Sequence, residues 1–118
     1  MLKAYTYSKC DTCRKAVKFL RENNIAFEEI AIRETPPPLG ELRAMLTSQT
    51  GQLRKLFNTS GADYKAQGLS AALPEMTTDD ALQLLASNGN LVKRPFVIGG
   101  GIHLVGFDEA KWREALLH

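Results

Sequence analysis

Tyr5-Thr6-Tyr7-Ser8-Lys9-Cys10-Asp11-Thr12-Cys13-Arg14-Lys15-Ala16 carries both cysteines of the 118-residue chain, three positions apart. Leu2 to Tyr7 is apolar, aromatic and β-branched enough to predict a strand, and Val17, Leu20 and Ile25 begin an apolar helical stripe after the cysteines. The pair is therefore expected at a helix N-terminus. Unpaired backbone N–H groups and the positive end of the helix dipole meet there and favour a thiolate over a thiol, so Cys10 is expected to have a depressed pKa. Lys9 and Arg14 flank the pair, either as further sources of that depression or as solvated charges.

Other chemistries use the same spacing. A structural zinc site needs about four ligands, and the remaining candidates of the usual kind are His103 and the terminal His118. A structural disulfide across three residues closes too short a loop to constrain the unfolded chain much. Free cysteines are also often buried as small hydrophobes. Redox or nucleophilic chemistry is the leading reading, with these alternatives beside it.

A chain of 118 residues with 44% hydrophobic content is expected to be one domain with a packed core and no need of disulfide staples. No stretch approaches the roughly 18 apolar residues of a membrane span, and the start lacks the charged-then-apolar layout of a secretory signal. A cytoplasmic location is expected, and in that reducing compartment two cysteines are more often catalytic or redox-sensing than bridged. A net charge of +2, with basic residues scattered among acidic ones, gives little support to direct nucleic-acid binding.

Ala26 to Ile32 alternates as a second strand and completes a β-α-β unit whose strands should be parallel. Thr35-Pro36-Pro37-Pro38 interrupts regular structure, and Leu39, Leu42, Met45 and Leu46 follow at helical spacing. Gly51 to Phe57 and Tyr64 to Leu69 read as short helices, with Gly51 a C-cap after the preceding one. Thr77-Thr78-Asp79-Asp80 opens a helix running to about Ser87, which Asn88-Gly89-Asn90 ends. Phe96-Val97-Ile98 and Ile102-His103-Leu104-Val105, joined by Gly99-Gly100-Gly101, predict an antiparallel hairpin. Asp108 then caps a last helix with Trp112, Leu116 and Leu117. The expected class is α/β: a thioredoxin-like fold, β-α-β then β-β-α on a mixed sheet, one domain over residues 1–118 with a helical insertion at about 39–90.

These residues resemble the arsenate reductase family of the thioredoxin-like superfamily, which also holds Spx-type transcriptional regulators and small thiol reductases. The resemblance spans nearly the whole chain and rests on Tyr5, Cys10-Asp11-Thr12-Cys13-Arg14-Lys15-Ala16, Glu34-Thr35-Pro36-Pro37, and Asn90 to Ile98 with Lys93-Arg94-Pro95. It implies that Cys10 is the nucleophile and Cys13 a second redox thiol. It also implies that Arg94 holds an anionic group, and that Pro95 is cis and lies beside the loop, with Thr12 and Arg14 completing the substrate or anion site. A planar guanidinium suits a carboxylate, phosphate or arsenate. In ungapped register, further arginines that arsenate reductases use fall on Asn58 and Gly106, where Lys55 or Arg54 would have to substitute. A histidine usual near the nucleophile falls on Thr6.

The function expected is that of a thiol-dependent reductase of this family. Cys10 would act on a disulfide, a glutathionylated thiol or an oxyanion, with Cys13, glutathione or glutaredoxin resolving the intermediate. Glutathione is the expected co-substrate, with no bound metal or organic cofactor. The alternatives are an Spx-like redox sensor that binds RNA polymerase and a genuine arsenate reductase.

Overall fold

The computed structural model describes residues 1 to 117. Its chain order is β1 (Leu2–Thr6), α1 (Asp11–Glu22), β2 (Phe27–Ala31), α2 (Leu39–Ser48), α3 (Ala62–Ala66), α4 (Leu69–Ala72), α5 (Thr78–Ser87), β3 (Phe96–Gly99), β4 (Ile102–Val105) and α6 (Glu109–Leu116). Short 3-10 turns at Leu53–Leu56, Leu73–Glu75 and Gly89–Leu91 join the middle helices. The four strands form one sheet in the order β2-β1-β3-β4. β1 pairs parallel with β2 and antiparallel with β3, and β3 pairs antiparallel with β4. This is the expected thioredoxin-like arrangement, and α2 to α5 occupy the chain between its halves.

Period-two alternation sends successive residues of each strand to opposite faces. Leu2, Ala4 and Val97 pack with Ala16, Phe19 and Leu20 of α1 and Trp112 of α6. Tyr5, Phe96 and Ile98 face the other way, into Leu42, Met45, Leu82 and Leu85 of α2 and α5. Tyr5 is buried, and its hydroxyl donates to Glu41 of α2 at 2.7 Å, while Lys3 Nζ meets the other carboxylate oxygen at 2.8 Å. Tyr5 thus fastens α2 to the sheet.

Capping sets the helix starts as the sequence predicts. Thr77 Oγ1 accepts the Asp80 N–H at 3.1 Å, and Asp108 Oδ1 accepts that of Lys111 at 3.3 Å. α2 begins at Leu39 directly after the prolines. The hairpin turns through Gly100 and Gly101 at φ 54° and 82°, both in the region that glycine enters without steric cost.

The ends of elements depart from expectation in instructive places. α1 stops at Glu22, so Ile25 lies beyond an Asn24 with φ 57° and packs from the loop. Gly51 to Phe57 is a 3-10 turn over Leu53–Leu56, and Tyr64 to Leu69 divides into α3 and α4 at Gly68, whose φ is 61°. After α2 both Thr50, φ 56°, and Gly51, φ 77°, are left-handed, so the helix ends one residue before the glycine that the sequence suggests as its cap. The Thr50 N–H bonds Thr47 O at 3.1 Å and the Gly51 N–H bonds Leu46 O at 2.9 Å, a Schellman ending in which Gly51 is the following residue.

Two backbone contacts tie the middle of the insertion to the run of chain that leads into β3. The Asn58 N–H donates to Leu91 O at 2.7 Å and the Lys93 N–H to Leu56 O at 2.8 Å, closing a bridge immediately before Arg94. Gly89 lies against the end of β2 so closely that a Cβ there would sit 1.8 Å from Ile32 O. Backbone cannot yield cheaply, so Gly89→Ala is expected to destabilise the protein by about 1–3 kcal/mol through overpacking, read as a lower urea midpoint. Gly40→Ala, with nothing within 4 Å of the added carbon, is the control expected to leave the midpoint in place or raise it.

Candidate active site

The parallel strands β1 and β2 end on the edge of the sheet where antiparallel β3 begins, so three chain segments converge there. Open α/β sheets bind ligands at this carboxyl edge. β1 delivers the loop Tyr7 to Cys10, β3 is entered through Arg94 and Pro95, and β2 exits into Arg33. The Ile32 N–H, bonded to Thr6 O at 3.0 Å, extends the β1–β2 ladder to this edge.

Cys10 is the N-cap of α1, with extended φ and ψ of −98° and 117°, and its Sγ accepts the Cys13 N–H at 3.4 Å. Its own N–H bonds Tyr7 O at 3.0 Å, which tightens the loop. Cys10 is partly exposed, whereas Cys13, one helical turn on, is 2% exposed among the core residues. The two thiols are unbridged.

Their acidities diverge. Burial pushes the Cys10 thiol up, but hydrogen bonds from the Cys13 thiol and backbone N–H, together with the hydrogen bond and charge of Arg94, outweigh it and leave the pKa below the ordinary value. Burial dominates at Cys13 and pushes it up to about 12, with the neighbouring Cys10 sulfur adding to the rise. Arg94 is the cation acting on Cys10; Lys9 and Arg14 are not among the causes of its shift. Arg14 is instead tied back, donating to Asp11 Oδ1 at 2.6 Å and to Ser8 O at 3.0 Å, so it braces the loop.

Arg94 is partly buried, and its guanidinium lies 5.0 Å from the centre of the Tyr7 ring. The Arg94–Pro95 peptide is cis, Pro95 is buried, and its carbonyl accepts the Gly106 N–H at 2.8 Å. Cys10, Cys13 and Arg94 are thus brought together, with Pro95 joined to Arg94 by the cis peptide. Thr12 is exposed in the first turn of α1. His103 lies in β4, and His118 is outside the described residues.

The positions that depart from the arsenate reductase pattern have structural occupations. Thr6 is buried and donates to Glu29 Oε2 at 2.7 Å. Gly106 has φ 72°, which disfavours any side chain, and its carbonyl accepts the Trp112 indole N–H at 3.1 Å. Asn58 Nδ2 reaches Asn90 O at 3.5 Å. Arg54 and Lys55 do not substitute in the site: they line a groove of about 480 Å³ with Phe57, Lys93 and Lys111, and no residue of the Cys10 loop borders it.

Two residues at the site carry no signature in the sequence. Tyr7 lies between strand and nucleophile, and Arg33 donates to its hydroxyl at 2.8 Å with Cζ 4.8 Å from the ring centre. Only the parallel register, which ends both strands at one edge, signals that Arg33 arrives here.

A thiol at a helix N-cap, a buried second thiol one turn on, and an arginine–cis-proline entry to the neighbouring strand define a thioredoxin-like thiol protein. The ArsC family model matches residues 5–115, and the chain belongs to that family. It is 44% identical over 110 residues to the uncharacterized protein YusI of Bacillus subtilis, covering 93% of each chain. It is 34% identical to the global transcriptional regulator Spx of Enterococcus faecalis, over 98% of this chain and 86% of that one. Among solved structures, a putative ArsC family related protein from Bacteroides fragilis superposes with a TM-score of 0.90 at 41% identity, covering 97% of this chain and 96% of that one.

A lowered pKa populates the thiolate at lower pH, so the rate of alkylation at Cys10 is expected to rise through an inflection below that of an unfolded cysteine thiol. Iodoacetamide labelling against pH, read by mass spectrometry, checks this. Arg94→Ala should move the inflection upward, since a hydrogen bond and a positive charge are lost, and Cys13 should stay unlabelled in the folded protein.

Proposed function

We propose that the protein is a thiol-dependent reductase with Cys10 as nucleophile and Cys13 as resolving thiol, operating in the cytoplasm as a single domain over residues 1–118. The observation that carries this reading is the placement of two unbridged thiols one helical turn apart, Cys10 partly exposed at the N-cap with its Sγ accepting the Cys13 N–H and Cys13 buried behind it. Cys10 thiolate attacks one sulfur of a disulfide or glutathionylated thiol, forms the mixed disulfide and expels the other sulfur as a thiolate. That bond removes the charge on Cys10 which helps to hold the Cys13 proton in place. Cys13 then loses its proton and attacks the Cys10 sulfur, expelling the bound half as a second thiolate and leaving a Cys10–Cys13 disulfide. Two glutathione molecules, oxidised to glutathione disulfide, restore the dithiol, directly or through glutaredoxin.

Arg94 stabilises the Cys10 thiolate and binds the anionic part of substrate or glutathione as a planar donor fork. Pro95 offers a strand entrance without an N–H, along which an extended thiol can lie, and the exposed first turn at Thr12 and Arg14 forms the rim. Arsenate is the less favoured substrate. Asn58 and Gly106 stand at the register of its usual arginines, and Gly106 has a backbone that disfavours a side chain.

The likeness to the Spx regulator favours a second reading, in which the Cys10–Cys13 disulfide is a signal and RNA polymerase the partner. Turnover of a glutathionylated thiol with glutathione, set beside capture of RNA polymerase from an extract, separates the two. Catalytic turnover without capture supports the reductase; capture that depends on oxidation, without turnover, replaces it with the regulator. Cys10→Ser should abolish thiol transfer, while Cys13→Ser should accumulate the mixed disulfide or slow turnover. Activity in Cys10→Ser equal to wild type would remove the nucleophile assignment.

A further inference from the structure

We infer that Arg33, held against Tyr7, forms a second anion-binding position beside Cys10 that takes a carboxylate of a peptide thiol, a role that rests on the reductase reading above. Tyr7 has two guanidinium neighbours, Arg33 at 4.8 Å and Arg94 at 5.0 Å from the ring centre. The two Cζ atoms are therefore no more than about 10 Å apart. Neither arginine has a carboxylate within ion-pair distance among the described residues, although five other pairs form across the surface.

A guanidinium lying over a ring spends its face on the aromatic and keeps its in-plane N–H groups for a ligand. Arg33 has five such donors and commits one to Tyr7 Oη, at 2.8 Å. That bond, with the stacking, limits the rotamers of an exposed side chain, so less entropy is lost when an anion binds than for a free surface arginine. The turn after β2 fixes the backbone: the Glu34 and Thr35 N–H groups both bond Ala31 O, at 3.2 and 2.9 Å.

A peptide thiol can bridge any separation up to that bound. A tripeptide spans roughly 10 Å, and glutathione has a carboxylate at each end with its sulfur between them. Arg94, at Cys10, and Arg33, across Tyr7, can meet the two ends while the sulfur faces the nucleophile. A small neutral thiol would use Cys10 without engaging Arg33.

The test uses the full chain and two unreactive probes, S-methylglutathione and its dimethyl ester, titrated by amide chemical-shift changes. Wild type should bind the dicarboxylate more tightly than the ester. Arg33→Ala should weaken the dicarboxylate by about 10- to 100-fold, the scale of a charge-assisted hydrogen bond, and leave the ester unchanged. Arg33→Lys should recover part of the loss, and Tyr7→Phe, which keeps the ring but not the hydroxyl, should weaken the same probe less. Equal affinities for the two probes in wild type, or equal effects of Arg33→Ala on both, would overturn the assignment. Turnover is read separately: Arg33→Ala should raise KM for glutathione more than it raises KM for dithiothreitol. Failure of every thiol to support turnover in wild type would remove the reductase reading, while the binding comparison would still decide whether Arg33 holds a carboxylate.

Discussion

The hydrogen-bond ladder along β1 is the constraint from which the site follows. A strand bonded parallel on one side and antiparallel on the other must share its C-terminal edge with the end of the first neighbour and the beginning of the second. Residues far apart in sequence, Cys10, Arg33 and Arg94, therefore arrive at one place without any of them having to bond another for the chain to fold. The segment between β2 and β3 covers one face of the sheet and returns the chain to that edge, and the bridge of Phe57 with Val92 lies just before the return.

The three-residue spacing of the cysteines then distributes unlike chemistry to like groups. In a helix, positions N-cap and N3 differ more than their separation suggests: the side chain of the first faces orphan N–H groups, that of Cys13 among them, while the side chain of the second already lies on a helix face. Cys13 falls on the same face as Ala16, Val17 and Leu20 and is carried into the core. Cys10 remains at the surface with a donated N–H and an arginine. Transposing the pair by one position along the helix would lose both effects at once.

The strands, the long helices and the caps were legible because each has a local cause: alternation in Leu2 to Tyr7, an oxygen cap at Thr77 and Asp108, glycines at the hairpin. The middle section was less so, since segments of four or five residues such as Ala62–Ala66 hold too few turns for a period to show. That the left-handed stretch after α2 begins at Thr50, one residue before Gly51, was decided by where the last turn closed, and Thr50 carries no mark of it. At the site, the cysteines and Arg94 could be read from their motifs. Lys9 and Arg14 flank the cysteines in sequence, yet Arg14 is diverted to Asp11 and Ser8, and the effective cation, Arg94, lies some eighty residues away. Arg33 and Tyr7 required the strand register.

Trp112 is the chain's single tryptophan. Its indole is packed edge-on against Phe19 and Phe107 and bonded to the carbonyl of Gly106, whose N–H in turn bonds Pro95 O. Two hydrogen bonds thus connect a buried chromophore to the residue next to Arg94, while Phe19 connects it to the helix that Cys10 begins. The protein carries its own optical reporter. Emission from this one indole is sensitive to how α6 sits against α1 and the β3 entrance, so events at the thiols can be followed by fluorescence without an attached dye.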